Sequence, residues 1–463
     1  MLFSSVTFIL FFLPAALLLY YIVPGKCKNT VLLLESLIFY AFGNMRYLLL
    51  AICLVFVNYL FARGMGRKSC QQRTRRFYLI MALAADISLL AAFKYGAWLS
   101  MFLNRITQGD ITFFDVLPLG ISYYLFKLIS YLCDVYTGKC EPEKNIIDFM
   151  TYVLMYPQIL VGPIIRYVDI RAGLKNRDRH VKPEEIRQGT RLFVYGLAKK
   201  VILADTLGML WSQLAGADGI GIEKASSALV WLAVLAYSLQ LYLDFSGYSE
   251  MSNGLSAMMG FSCKQNFAYP YLSRSVTEFW RRWHITLSEW FRDYVYIPLG
   301  GNRKGMMCHI LNMLIVWILT GIWHGHTVNF LVWGVYYFAI LLLEKYVLKT
   351  LLERHKAAGH IYTLFVAVTG WGIFAADGTQ IGVLPLLHKM FVFSSGESAL
   401  YFIRCYGVTL LLSVAVSGGF YQKLQGKLED RRWLETVWLS IVFLLSLSYV
   451  VGSTGRAALY AGF

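Results

Sequence analysis

The chain has 463 residues, of which 57% are hydrophobic and only 15% are charged; a water-soluble chain of this size carries about 25% charged residues. That deficit excludes an ordinary soluble domain and makes lipid the solvent for much of the surface. The formal charge of +16 does not make the chain a nucleic-acid binder, because its basic residues sit in short loops between apolar runs, where they mark a cytoplasmic side and favour anionic lipid head groups.

In chain order, the first apolar run covers residues 6–23. Met1-Leu2-Phe3-Ser4-Ser5 lacks a basic leader and no small-residue cleavage pattern follows, so 1–23 is expected to be a first transmembrane helix and not a signal peptide. Further runs at 77–93, 228–243, 330–343 and 436–451 approach the ~20 residues that cross a bilayer core of about 30 Å. Basic clusters fall at 63–76, 166–191, 281–304, 345–356 and 423–432, and placing all five in the cytoplasm sets the topology. Between Arg76 and Arg166 the chain must then cross an even number of times, yet three apolar stretches lie there, at 77–93, 113–133 and 146–165. The middle one has Pro118 and Gly120 near its start and Lys127 inside it; it is expected to be re-entrant or buried in protein, where irregular backbone is tolerated. The expected fold is an all-α polytopic membrane protein. It would have roughly twelve spanning helices plus re-entrant and interfacial helices around a central cavity. Both termini would lie outside, in a single domain over 1–463 whose core motif region is 240–345.

Residues 244–302 differ from the rest, being rich in aromatic and polar groups without a clean span. Ser275-Val276-Thr277-Glu278 is a capping box and predicts a helix start. On that helix Trp280, His284, Leu287 and Phe291 fall on one face, with Arg281, Arg282, Ser288 and Arg292 largely elsewhere, which suits an amphipathic helix at the inner leaflet. Pro298-Leu299-Gly300-Gly301-Asn302 then breaks it.

His324 is the sharpest chemical candidate. Its apolar helix starts near His309, so about 15 residues at 1.5 Å each carry the chain roughly 23 Å, less than the bilayer core. An ionisable group at that depth is a functional candidate, although a buried histidine bonded to a neighbour would look the same. Gly321 and Gly325, in a GxxxG spacing, allow close backbone approach. His284 interrupts an aromatic stripe, as a structural histidine also would. Asp244, in Tyr242-Leu243-Asp244-Phe245-Ser246-Gly247-Tyr248, could orient a histidine, hold a substrate or pair with a nearby arginine. Glu35 and Asp86 are assigned to helix–helix hydrogen bonding. His309 and the remaining histidines are assigned to loops or interfaces. His324 and His326 form an HxH pair without evident third and fourth ligands, so no metal site is expected. The eight cysteines are irregularly spaced, which argues against a disulfide framework. Neither a phosphate-cradling GxxxxGK[ST] nor a GxSxG elbow occurs.

The run Glu278-Phe279-Trp280-Arg281-Arg282-Trp283-His284-Ile285-Thr286-Leu287-Ser288-Glu289-Trp290-Phe291-Arg292-Asp293-Tyr294, with Ile297-Pro298-Leu299-Gly300-Gly301-Asn302-Arg303, resembles membrane-bound O-acyltransferases, most closely the alginate O-acetyltransferase branch. Gly321-Ile322-Trp323-His324-Gly325 is similar to that family's Trp-His-Gly motif, and Asp244-Phe245-Ser246-Gly247-Tyr248-Ser249 also has a family look. Glu250 stands where the family often has Asp, and Tyr460-Ala461-Gly462-Phe463 is a loose version of an aromatic ending. The resemblance implies that His324 is the active-site histidine and His284 the second polar residue of the site. Trp323, Asp244, Ser246 and Asn302 are expected around the substrate. A base at His324 would take the acceptor hydroxyl's proton, while His284 hydrogen-bonds the acyl carbonyl or positions the donor. Arg281, Arg282 and Arg303 would meet a phosphate-bearing thioester such as acetyl-CoA, a substrate and not a bound cofactor. The acceptor would be a cell-surface polysaccharide or an extracytoplasmic acyl-relay protein, and the location a bacterial plasma membrane. Rival readings are D-alanyl transfer to teichoic acid from a carrier protein, a transporter or flippase of lipid-linked sugars, and a non-catalytic scaffold.

Overall fold

The computed structural model describes residues 1–67, 69–107, 109–110, 117–177, 179–216, 219–379, 381–422, 426 and 431–452, without the side chain of residue 44. Among them every regular element is helical. Lys423, the aromatic ending 460–463 and the start of the middle apolar stretch, 113–116, lie outside the described residues. The helices are α1 Leu13–Ile22, α2 Lys28–Met65, α3 Gln72–Thr107, α4 Ile121–Thr137, α5 Ile146–Leu154, α6 Tyr156–Ile159, α7 Tyr167–Lys175, α8 Pro183–Ala198, α9 Asp205–Ala215, α10 Ser227–Met258, α11 Val276–Arg282, α12 Ile285–Phe291, α13 Met306–His324, α14 Val328–Leu343, α15 Lys349–Arg354, α16 Lys356–Ala375, α17 Val383–Phe391, α18 Ala399–Ser417 and α19 Arg432–Gly452. Eight stretches among the described residues are long and apolar enough to cross a membrane: Met45–Met65, Gln72–Thr107, Ser227–Met258, Met306–His324, Val328–Arg354, Lys356–Thr379, Ala399–Ser417 and Arg432–Gly452. Twelve were expected from the apolar runs. The first run forms the shorter apolar helix Phe8–Ile22.

The chain divides into two compact units, Met1–Phe193 with Tyr248–Lys264, and Val194–Gly247 with Gln265–Leu459. In the first, α4 is indeed buried in protein along nearly its whole length. Its entry requires glycine: Gly120 has φ +73°, and the Ile159 carbonyl occupies the place of a Cβ. Lys127, fully inside, donates to the carbonyl of Tyr152 and to Gln158 Oε1, each at 3.1 Å, and burial pushes its ammonium down to about 7. The stretch 146–165 is not a span. It breaks at Met155, whose backbone is not helical, before Pro157, and the freed Tyr156 N–H donates to Ser36 Oγ at 2.9 Å. Among the described residues only one of the three stretches between Arg76 and Arg166 is a full-length candidate span, and the even-crossing count loses its basis. Asp86 accepts from Asn58 at 2.9 Å between α2 and α3, as expected of helix–helix bonding. Glu35 does not follow suit: its buried carboxyl oxygens have no hydrogen-bond partner among the described residues.

In the second unit, α13 and α14 pack backbone to backbone. A Cβ at Gly321 would meet the Phe330 carbonyl at 2.5 Å, and one at Gly334 would meet the Trp317 carbonyl at 2.5 Å. Small residues at such a contact trade side-chain bulk for van der Waals contact between helices, the main attraction available where lipid replaces water. An aromatic lattice fills the space beside them, with Trp283, Trp333, Trp371 and Tyr337 fully buried.

Candidate active site

His324 is the last residue of α13. The helix begins at Met306, after Gly305, so it is 19 residues long and about 28 Å. That is close to a full bilayer core, where a start near His309 had left a clear shortfall. The imidazole is only 5% exposed. Rings surround it, with centroids at 4.7 Å for Trp323, 5.0 Å for Phe374, 5.2 Å for Trp333 and 6.1 Å for Phe330. The extended Gly325 and exposed His326 follow.

His284 is held differently. The expected continuous helix is absent: α11 ends at Arg282, α12 starts at Ile285, and His284 stands between them with φ 43° and ψ 55°. Trp280, His284, Leu287 and Phe291 therefore do not share one helical face. A left-handed non-glycine residue costs about 1–2 kcal/mol and persists only where its surroundings dictate it. Here the loop before α11 does so. Ala268 N–H donates to the Arg282 carbonyl and Ile285 N–H to the Asn266 carbonyl, both at 2.9 Å. The N-cap half of the capping box forms, with Ser275 Oγ accepting from Glu278 N–H at 3.0 Å, while the Glu278 carboxylate reaches back to Arg274 N–H at 2.8 Å. Buried Glu344 adds a cap, accepting from Val276 and Thr277 N–H at 2.5 and 2.8 Å.

The His284 side chain is 2% exposed and lies against Phe245, at 4.7 Å between ring centroids, and Phe267, at 6.3 Å. Its Nδ1 is 3.2 Å from Asn266 Oδ1, which also accepts from Thr286 Oγ1 at 2.8 Å and Thr286 N–H at 3.3 Å. Nε2 is buried with no hydrogen-bond partner among the described residues. Burial holds the imidazolium form down to about 3, so the ring is neutral near pH 7. Ring contacts lead from one histidine to the other through Phe267, Trp283, Trp371 and Phe374, with steps of 4.6 to 6.3 Å.

Asp244 is paired with Lys200 at 2.8 Å, and Lys200 also reaches Asp205 at 2.7 Å. The sequence leaves pairing with an arginine open for Asp244, beside orienting a histidine or holding a substrate; the partner observed is a lysine. Both Lys200 and Asp244 are 2% exposed in their side chains. Burial lowers the pKa of Lys200, but the two carboxylates outweigh it and raise the ammonium above its ordinary range. The widened π-helical turn Lys199–Ala204 allows Lys200 to meet a carboxylate five residues on. Lys200 was not singled out from the sequence, although two lysines inside an apolar run followed by an aspartate were a visible signal. Asn266 gave no signal, because its role comes from a loop folding back. Ser246 is buried, with its hydroxyl unbonded among the described residues.

A cavity of about 1100 Å³ opens beside α11, α12, α13 and α14. Arg274, Arg281, Arg292, Lys345, Lys349 and Lys356 line it, against four glutamates, one of them the Glu344 already engaged by backbone N–H groups. His309, assigned to a loop or interface from the sequence, is buried in the first turn of α13 at this wall. It sits between Lys345, at 2.5 Å, and the Tyr296 hydroxyl, at 2.7 Å. Of the expected arginines only Arg281 reaches the cavity. Arg282 pairs with Glu278. Asn302 and Arg303 are exposed in the glycine turn and form no part of the wall; Gly300 and Gly301, at φ +109° and +59°, turn that segment outward. The cavity also does not touch His324. Trp280, in the wall, packs on Trp333 at 5.5 Å, and Trp333 packs on His324. Bulky aromatic side chains thus lie between the wall of this cavity and His324.

Residues 142–381 match the model of MBOAT, the membrane-bound O-acyltransferase family. The chain is 37% identical, over 82% of its length and 78% of the relative's, to a probable alginate O-acetylase AlgI of Pseudomonas putida. It is 33% identical to a peptidoglycan O-acetyltransferase of Helicobacter pylori, over 72% and 68% of the two chains. To a teichoic acid D-alanyltransferase of Bacillus subtilis the identity is 28%, over 48% and 58%.

Proposed function

The chain belongs to the membrane-bound O-acyltransferase family and is a multi-pass membrane O-acyltransferase, and from that premise we propose that it moves an acetyl group from a cytoplasmic thioester to a hydroxyl of a cell-surface polysaccharide or of an extracytoplasmic relay protein. Buried His324, closing a helix of nearly full membrane length, is the observation that carries this reading. In it, His324 is the general base. A hydroxyl is a poor nucleophile at its own pKa, and a positioned imidazole that takes its proton during attack overcomes this. The thioester carbon gains the new C–O bond, the C–S bond breaks, and the thiolate leaves toward the donor side. The cation-rich cavity favours a donor bearing phosphates, acetyl-CoA being the simplest, because arginine and lysine bind phosphate through charge-assisted hydrogen bonds. Trp280 and Trp333 stand between that cavity and His324, so the slender acyl-bearing arm of the donor would enter by displacing these rings. The proposed setting is a bacterial plasma membrane with both termini outside.

D-alanyl transfer from a carrier protein is the second reading. It is supported by the teichoic acid relatives, over a smaller share of the chain. Purified protein given acetyl-CoA and a polysaccharide acceptor should consume thioester, and His324→Ala should not. Full activity in that variant removes the base assignment. Consumption of a D-alanyl carrier thioester in place of acetyl-CoA favours the second reading.

A further inference from the structure

We infer that Asn266 is a positioning residue that fixes the tautomer of His284, so that this histidine meets a reactant as a hydrogen-bond acceptor. The inference rests on the proposed placement of His284 in the active site. Three groups converge on Asn266 Oδ1: His284 Nδ1, the Thr286 hydroxyl and the Thr286 N–H. The backbone N–H can only donate, so the atom it faces is the amide oxygen and not the amide nitrogen. An amide oxygen can only accept, so His284 Nδ1 carries the proton and donates it. In a neutral ring the lone pair then resides on Nε2. That atom is buried without a hydrogen-bond partner among the described residues. A buried polar atom left unbonded calls for an explanation, and an incoming O–H or N–H donor supplies one.

The geometry is over-determined. The left-handed backbone at His284 and the two backbone bonds from 266 and 268 fix the ring's origin, while Phe245 and Phe267 fix its plane. A ring so held cannot donate to an acyl carbonyl from Nε2, which revises the role expected from the sequence. It can accept from the acceptor hydroxyl or from an amide N–H of the donor arm. The elements packed against His284 carry several other charged or titratable groups: Asp244 with its partner Lys200, Tyr242, Tyr269, Arg281, Arg282 and Glu289.

The test combines spectroscopy with kinetics on the full-length protein in detergent. In protein labelled with 15N-histidine, and assigned by comparison with His284→Gln, two-bond 15N–1H correlations should show His284 with a protonated Nδ1 and a bare Nε2 at pH 7. A proton on Nε2 overturns the inference. Asn266→Leu should lower kcat by about 10- to 100-fold, the size of effect seen when a metal-ligating histidine loses its orienting partner. Asn266→Asp should restore part of that rate. Its carboxylate would stabilise the imidazolium, so the acid limb of the rate profile should move up by about one pH unit or more. If His284→Gln abolishes transfer while Asn266→Leu keeps the wild-type kcat and Asn266→Asp the wild-type pH profile, the inference fails and the active-site reading stands. If His284→Gln is fully active, that reading of His284 fails first.

Discussion

The two buried histidines have different surroundings. His324 ends a regular helix and is packed between four rings, beside a glycine contact that brings α13 and α14 together. His284 sits where a helix has been broken, and an amide oxygen and two backbone bonds hold it; the ion pair of Asp244 with Lys200 lies on α10, which also carries Phe245 against the ring. Rings packed on an imidazole set its plane, whereas a hydrogen bond to a ring nitrogen also sets which nitrogen carries the proton.

The contrast can be broken most forcefully at His324. His324→Gln should lower kcat by about 10²–10⁴-fold, the usual contribution of a general base, with an unchanged thermal midpoint in detergent. A collapse of that midpoint would make the residue structural. On the polar side, Lys200→Met leaves two carboxylates without their buried cation and should cost about 3–5 kcal/mol, read as loss of folded yield. Lys200→Met with Asp244→Asn should recover part of it; no recovery would mean the pair is not the unit of stability. On the shape side, Gly321→Val forces bulk against the Phe330 carbonyl and should cost about 1–3 kcal/mol by the same measurement. Titration separates the two sides further. His284 prefers to be neutral when folded, so its contribution to stability is complete above its ordinary pKa of 6.5 and is lost as pH falls from there toward about 3. Lys200 is raised instead, so its contribution is complete below 10.5 and fades only in alkali. Thermal midpoints of wild type and His284→Gln from pH 7 to pH 4 should therefore converge. The smallest effect is expected at the cavity wall. Arg281→Ala should raise KM for acetyl-CoA by about tenfold, the worth of one hydrogen bond to a charged group, with kcat little changed; an unchanged KM would take Arg281 out of donor binding.

By itself the sequence determined the solvent and the helical class, and it singled out the two histidines as candidates. Each follows from a local quantity: too few charges, apolar runs of a given length, and short motifs such as Gly321-Ile322-Trp323-His324-Gly325. The burial of α4 was also legible, because Pro118, Gly120 and Lys127 mark a segment unsuited to lipid. Tertiary structure decided the rest. The break at His284 could not be seen, since the local periodicity favours a continuous helix and only the returning 266–268 loop over-rides it. The break at Met155 likewise depends on Ser36, more than a hundred residues away in sequence, which receives the freed Tyr156 N–H. Lys200, Asn266 and Glu344 acquire their roles from distant partners, and no window of sequence contains both ends of such a bond. Periodicity reports how a segment meets its average surroundings. A hydrogen bond or ion pair reports one particular neighbour, and only the folded chain supplies it.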